Sequence, residues 1–207
     1  MPRGSTVEQV RLQVNDESSL ADFIRQRARP LGRACVVAID GRSGAGKSTL
    51  AAKLVGTLDA CVLDSDGFFA GGVAVRCDAP RDRVRDCIDW KKQRPVLEAL
   101  RAGDTASYLA FDWELFDGRL QNEPTTVLPR PVILFEGVYT ARPELSDLVD
   151  LRVLVQVAPA TRIARLLVRE GSIGAWERQW HEAEDWYLTR VAPPDLFDVL
   201  LCAPERP

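Results

Sequence analysis

The stretch ACVVAIDGRSGAGKSTLAAKLVGTL, residues 34–58, decides how this chain folds. Its first seven residues are an apolar run that ends on Asp40, which suits a short strand buried on both faces. From Lys47 the pattern turns helical. Between the two lies GRSGAGKS, Gly41 to Ser48, which fits G-x-x-x-x-G-K-[ST]. Gly41, Gly44 and Gly46 permit backbone angles and close approaches that a side chain would block. Successive N–H groups then converge on one concavity, the geometry that takes phosphate oxygens. A helix opening near Gly46 adds partial positive charge at the same point.

Further along the chain, ACVLDSD (60–66), PVILFEG (131–137), LRVLVQV (151–157) and LFDVLL (196–201) repeat the strand pattern. Helical patterns fill 18–29, 159–170 and 172–190. Another covers 89–103, its regular part starting near Pro95, because proline is poorly tolerated inside a helix. Shorter helical pieces fit 81–88 and 142–149. Residues 105–129 hold two strand-like pieces around Asp117-Gly118, a turn signal, and read as a hairpin excursion. Five buried strands alternating with helices mean an α/β fold with a parallel sheet covered on both faces. Residues 1–17 and 203–207 are expected to fray.

The chain has 207 residues, the length of one domain, and 46% of them are hydrophobic, enough to build a core. With 27 basic and 30 acidic residues it lacks the basic excess of a general nucleic-acid binder. No apolar run approaches a membrane span, and the N-terminus lacks a secretory pattern. Five cysteines without a CxxC pair, and a single histidine, give no zinc spacing. The expected setting is therefore cytoplasmic and reducing, with no nucleic-acid or membrane partner; association between copies is left open.

Three motifs carry chemistry. In the glycine loop, Gly41, Ser43, Gly44, Ala45, Gly46, Lys47, Ser48 and Thr49 are the candidates for binding ATP. Lys47 supplies a full charge to the β and γ phosphates, and the Ser48 hydroxyl is a magnesium ligand. In LDSDGFF (63–69), Asp64 and Asp66 leave the carboxyl end of a strand, where open α/β sheets place ligands. A carboxylate there can take the proton of an acceptor hydroxyl; it can equally cap a turn. In LFEG (134–137), Glu136 ends the strand expected beside the loop, the usual place for an acid that steadies magnesium. Two further features have a bland reading. Ile173, Trp176, Trp180, Ala183 and Tyr187 form a helical stripe that reads as core packing, and the charge run Arg81–Asp86 reads as a solvated helix face.

In this order the three motifs resemble the phosphoribulokinase/uridine kinase family of P-loop kinases, over residues 34 to 201. The resemblance implies a P-loop three-layer α/β/α fold. Its five-stranded parallel sheet would run in the order 2-3-1-4-5, in one domain with its core at 32–202, the hairpin at 105–129 and a lid at 162–178. Asp66-Gly67-Phe68-Phe69 is similar to the family's D-x-F-Y, which makes Asp66 the catalytic base and puts Phe69 near the acceptor. Ile88-Asp89-Trp90 and Leu109-Ala110-Phe111-Asp112-Trp113 resemble its acceptor-binding segments. They imply Asp89 on the acceptor hydroxyls, with Phe111, Asp112 and Trp113 beside it. LFEGVYT supports Glu136, and Arg162, Arg165 and Arg169 fall where the lid arginines lie, Arg165 and Arg169 being the catalytic candidates. Phe116 stands where the family has a histidine, and Arg169-Glu170-Gly171-Ser172 replaces its lid signature. The implied function is transfer of the ATP γ-phosphate, with magnesium, to a hydroxyl of a nucleoside-like or other small acceptor. The alternative is a nucleotide-dependent switch or assembly NTPase without an acceptor; no N-K-x-D guanine-reading motif occurs.

Overall fold

The computed structural model describes residues 12–14 and 16–202. Six parallel strands form one sheet: β1 (Leu12–Val14), β2 (Cys35–Asp40), β3 (Ala60–Asp64), β6 (Val132–Glu136), β7 (Leu151–Gln156) and β8 (Val199–Cys202). Their order is β1-β8-β7-β2-β6-β3. The five strands read from the sequence hold the expected order. The sixth, β1, corrects the expectation that residues 1–17 fray. Leu12 to Val14 pair with Val199 to Leu201, and Val14 is buried. The rest of that call, on residues 1–11, 15 and 203–207, lies outside the described residues.

Every residue of β2 is buried, with β6 and β7 on either side. Its alternate side chains feed two cores, because strand side chains point to opposite faces. Cys35, Val37 and Ile39 join helices α1 (Glu17–Ala28) and α2 (Lys47–Val55) through Leu20, Ile24, Leu50 and Leu54. Val36 and Ala38 face the other core, built with α4 (Trp90–Ala102) and α6 (Ala175–Arg190) through Leu97, Leu100, Ala183 and Tyr187. The result is the three-layer sandwich that a buried parallel sheet requires.

Helix α4 begins at Trp90 and carries Pro95 inside it, not near its start as the proline suggests. Pro95 is exposed, so the carbonyl it leaves without a helical donor can be hydrated. The excursion is an antiparallel pair, β4 (Ala106–Tyr108) with β5 (Thr125–Val127), extended by a bridge between Phe111 and Leu120. Helices α3 (Pro80–Asp86) and α5 (Pro159–Glu170) complete the fold. The expected helix at 142–149 is only a 3-10 turn at Pro143–Leu145.

The charge run on α3 is not wholly a solvated face. Arg81 and Arg85 are exposed, but Arg83 is 6% exposed and ties α3 to α6. Its guanidinium donates to the Asp78 carbonyl at 2.8 and 3.0 Å and to the Gln179 carbonyl at 2.7 Å, and meets Glu182 at 3.1 Å.

Candidate active site

The loop between β2 and α2 has the left-handed backbone the glycines anticipate, with φ of 146° at Gly41, 80° at Gly44 and 100° at Gly46. Space demands glycine as well. A Cβ on Gly41 would lie 2.5 Å from the Val155 carbonyl oxygen, and one on Gly44 would lie 3.0 Å from the Arg162 carbonyl oxygen. Asp40 anchors the loop from below. Its buried carboxylate accepts from Gly41 N at 2.7 Å, Ala141 N at 2.9 Å and the Tyr187 hydroxyl at 2.8 Å. Burial still pushes this carboxyl above the usual range. Lys47 is buried and its Nζ donates to the Arg42 carbonyl at 3.2 Å, which holds it along the loop. Ser48 and Thr49 are exposed in the first turn of α2.

The acids lie on the next two strands. Asp64 and Glu136 end β3 and β6 in direct register, and β6 is the neighbour of β2. Glu136 is 5% exposed. Burial, then the charges of Asp64 and Asp66, raise its carboxyl to about 7, against the pull of Lys47 and a hydrogen bond with Ser48. Asp64 is reachable by water but walled by protein. Burial and then Asp66 raise it to about 6. Asp66 follows β3 in a 3-10 turn, its N–H donating to Asp64 Oδ1 at 2.8 Å and its own Oδ1 accepting from Val138 N at 3.4 Å. Gly137 makes this approach feasible: a Cβ there would lie 2.6 Å from Ser65 Cβ and 3.0 Å from Asp66 Oδ1.

Both groups open onto one cavity of about 760 Å³, lined by Ser43 of the loop and by Asp64 and Asp66. Its far wall is aromatic. Phe69 and Trp113, expected beside an acceptor, line it, their ring centroids 4.8 Å apart. The indole N–H of Trp113 donates to the Asp66 carbonyl at 3.2 Å, tying that wall to the acid. Phe111 is buried behind these rings, 4.9 Å from Phe69 and 4.7 Å from Trp113.

Two other expected acceptor ligands stand elsewhere. Asp89 caps α4, accepting from Lys92 N at 3.3 Å, and does not line the cavity. Asp112 accepts from Glu114 N and Leu115 N at 3.1 and 2.9 Å, which holds the tip of the excursion.

The lid arginines divide. Arg162 Nη1 donates to the Ser43 carbonyl at 3.3 Å, and Arg165 Nη1 donates to the Ala45 carbonyl at 3.2 Å, so α5 rests on the loop. Arg169 lines the cavity, paired with Glu170 at 2.6 Å.

Sequence reasoning missed a contribution from α6. The supposed core stripe splits: Ala183 and Tyr187 are core, whereas Trp176 and Trp180 line the cavity together with Glu177 and Glu184. Glu184 accepts from the Ser43 N–H at 3.0 Å and from the Ser43 hydroxyl in a short bond, so α6 reaches the loop itself. The signal was in the spacing. Glu177, Trp180 and Glu184 recur at i, i+3 and i+7, and a purely structural core stripe does not carry carboxylates.

No family model matches the chain, and no curated protein matches it in sequence. Solved structures do. A candidate fructose transport system kinase from Silicibacter sp. TM1040 superposes with a TM-score of 0.68 at 21% identity, covering 90% of this chain and 99% of that one. A candidate uridine kinase from Bacillus stearothermophilus gives 0.61 at 22% identity, covering 88% and 99%. A D-glycerate 3-kinase from Cryptococcus neoformans var. grubii gives 0.56 at 13% identity, covering 82% and 85%. The chain has the fold of the uridine kinase-like P-loop kinases.

Proposed function

We propose that this chain is a P-loop kinase that transfers the γ-phosphoryl group of ATP to a hydroxyl of a small acceptor. One observation supports the reading: Ser43 of the glycine loop, Asp66 and a set of aromatic rings line the same cavity. The kinases named above share the fold of this chain, which supports the reading.

The loop residues Gly41 to Thr49 would receive the triphosphate, with Lys47 moving from the Arg42 carbonyl to the β and γ oxygens. The residues present fit magnesium. Burial and neighbouring negative charge raise the proton affinity of Asp64 and Glu136, as crowded anions do without a cation, and Ser48 shares a hydrogen bond with Glu136. Among the described residues no three His, Cys, Asp or Glu side chains converge as a preformed metal centre. The ion would therefore be held by Ser48 and phosphate oxygens, with Glu136 assisting. When bound it neutralises charge on the transferring group.

Asp66 orients the acceptor hydroxyl and takes its proton. The acceptor oxygen forms a bond to the γ-phosphorus as the bond from that phosphorus to the ADP oxygen breaks. Arg165 keeps α5 closed on the loop, and Arg169 leaves Glu170 for the transferring phosphoryl oxygens. Closure excludes water and suppresses idle hydrolysis. Such a kinase acts in the cytoplasm, where ATP is supplied and exposed thiols such as Cys77 stay reduced.

The test is ADP release from Mg-ATP with a panel of neutral, anionic and cationic alcohols. Release that rises above the acceptor-free rate with at least one of them is expected. A rate indifferent to every acceptor, with ATP bound, contradicts the reading.

A further inference from the structure

The aromatic end of the cavity has a composition that the phosphoryl chemistry does not require. Five rings meet there: Phe69, Trp113, Phe116, Trp176 and Trp180. Their centroids lie 4.8 Å apart for Phe69–Trp113, 5.1 Å for Phe116–Trp176, and 5.6 Å for both Phe69–Trp180 and Trp176–Trp180. At these separations the rings pack on one another as a wall, and a wall whose aromatic faces, which carry negative quadrupole charge, border a cavity attracts an ammonium group.

The charges on the same walls have the same sign. The lining residues include five carboxylates and one cation, Arg169, which is exposed and bonded to Glu170. Asp66 is accounted for by the acceptor proton, and Asp64 accepts from the Asp66 N–H at 2.8 Å. Glu177 and Glu184, both on α6, carry charge that the phosphoryl chemistry does not use. Glu177 spends Oε2 on the Gly174 N–H at 2.6 Å. Glu184 is 3% exposed, and its Oε1 serves Ser43. Its Oε2 is buried without a hydrogen-bond partner, the nearest guanidinium being Arg162 at 3.9 Å. A buried carboxylate oxygen held only by a guanidinium at this distance gains from a further cation.

We infer that the acceptor is a cationic alcohol, an amino or quaternary ammonium alcohol whose positive group sits among the rings of Trp113, Phe116 and Trp176 with Glu177 and Glu184 as counter-charges. This rests on the kinase reading for its hydroxyl and on the aromatic-acidic wall for its charge. A neutral nucleoside or polyol would stack or hydrogen-bond there but would leave two carboxylates facing an uncharged group. An anionic acceptor would be repelled.

The charge is tested apart from the chemistry. Trp113, Trp176 and Trp180 report occupancy of the wall, so intrinsic fluorescence of the whole chain is titrated with choline and with 3,3-dimethylbutan-1-ol, its uncharged carbon isostere. Choline is expected to bind about tenfold or more tightly, the scale of a partly desolvated cation–ring attraction. Glu177→Gln is expected to shrink that gap several-fold, and its amide oxygen still accepts the Gly174 N–H. Equal binding of the two probes, tighter binding of the neutral one, or no saturable quenching by choline in the millimolar range overturns the inference.

ADP release is then followed with choline, ethanolamine, uridine and glycerol. Turnover stimulated only by the neutral alcohols keeps the kinase and overturns the cationic acceptor. Charge-selective binding with no stimulation by any alcohol keeps the cationic site and removes the kinase.

Discussion

Asp64 and Glu136 face each other across two strands, and their proton affinities set a pH dependence. Folding raises Asp64 to about 6 and Glu136 to about 7, chiefly by burial and then by mutual repulsion. A carboxyl raised on folding favours the fold while it is protonated, so its contribution is full below the ordinary carboxylate range and is lost as pH rises through the raised value. The ligand-free chain should therefore lose stability between about pH 4 and 7, read as a falling thermal midpoint. Magnesium requires the deprotonated forms, so its effect runs the other way. Calorimetric titration with Mg-ATP should show affinity rising several-fold from about pH 5.5 to 7.5, and Glu136→Gln should flatten the upper part of that rise. An affinity independent of pH across this window would remove Glu136 from the metal site.

At the level of elements, the turn after β6 and the contact between α3 and α6 hold the site in place. Gly137 has φ of 137°, and a Cβ there would strike Ser65 and crowd Asp66. Gly137→Ala should destabilise by about 3 kcal/mol, from backbone strain together with overpacking, and should lower turnover more than ATP affinity. Denaturant unfolding and steady-state rates measure the two effects. Arg83→Ala strips α6 of a buried guanidinium anchor and should cost about 3 kcal/mol, whereas exposed Arg81→Ala should stay within about 0.5 kcal/mol. These elements also mark how far the sequence could be read. The loop from Gly41 to Ser48 and the acids Asp64, Asp66 and Glu136 were legible because each has local chemistry tied to a strand end. β1 was not, because Leu12 to Val14 are held by pairing with β8, nearly the whole chain away. Asp89 resembles an acceptor ligand by motif; in the structure its Oδ1 caps α4 through the Lys92 N–H at 3.3 Å, a role that the motif does not announce. Trp176 and Trp180 were read as core because helical spacing shows which face is covered and cannot show whether protein or ligand covers it.

In the molecule as a whole, two cores clamp a buried sheet, and the site forms where β2, β3 and β6 end beneath α5 and α6. Helix α5 packs on the loop through Leu166 and leaves Val168 89% exposed on its outer face. Ligand binding at the loop, where both cores meet the sheet, should stabilise the entire fold. Mg-ATP at about a hundred times its dissociation constant should raise the thermal midpoint by about 5–10 °C, and Lys47→Ala should abolish most of that shift. The central claim joins the two sides of the cavity: the loop holds the triphosphate and Asp66 activates the alcohol. It is tested most directly by measuring ATP affinity and acceptor-stimulated ADP release together in the wild type and in Asp66→Asn. The expected result is ATP affinity within several-fold of the wild type, with stimulated release down by about a hundredfold or more. Near-normal stimulated release in Asp66→Asn would contradict it.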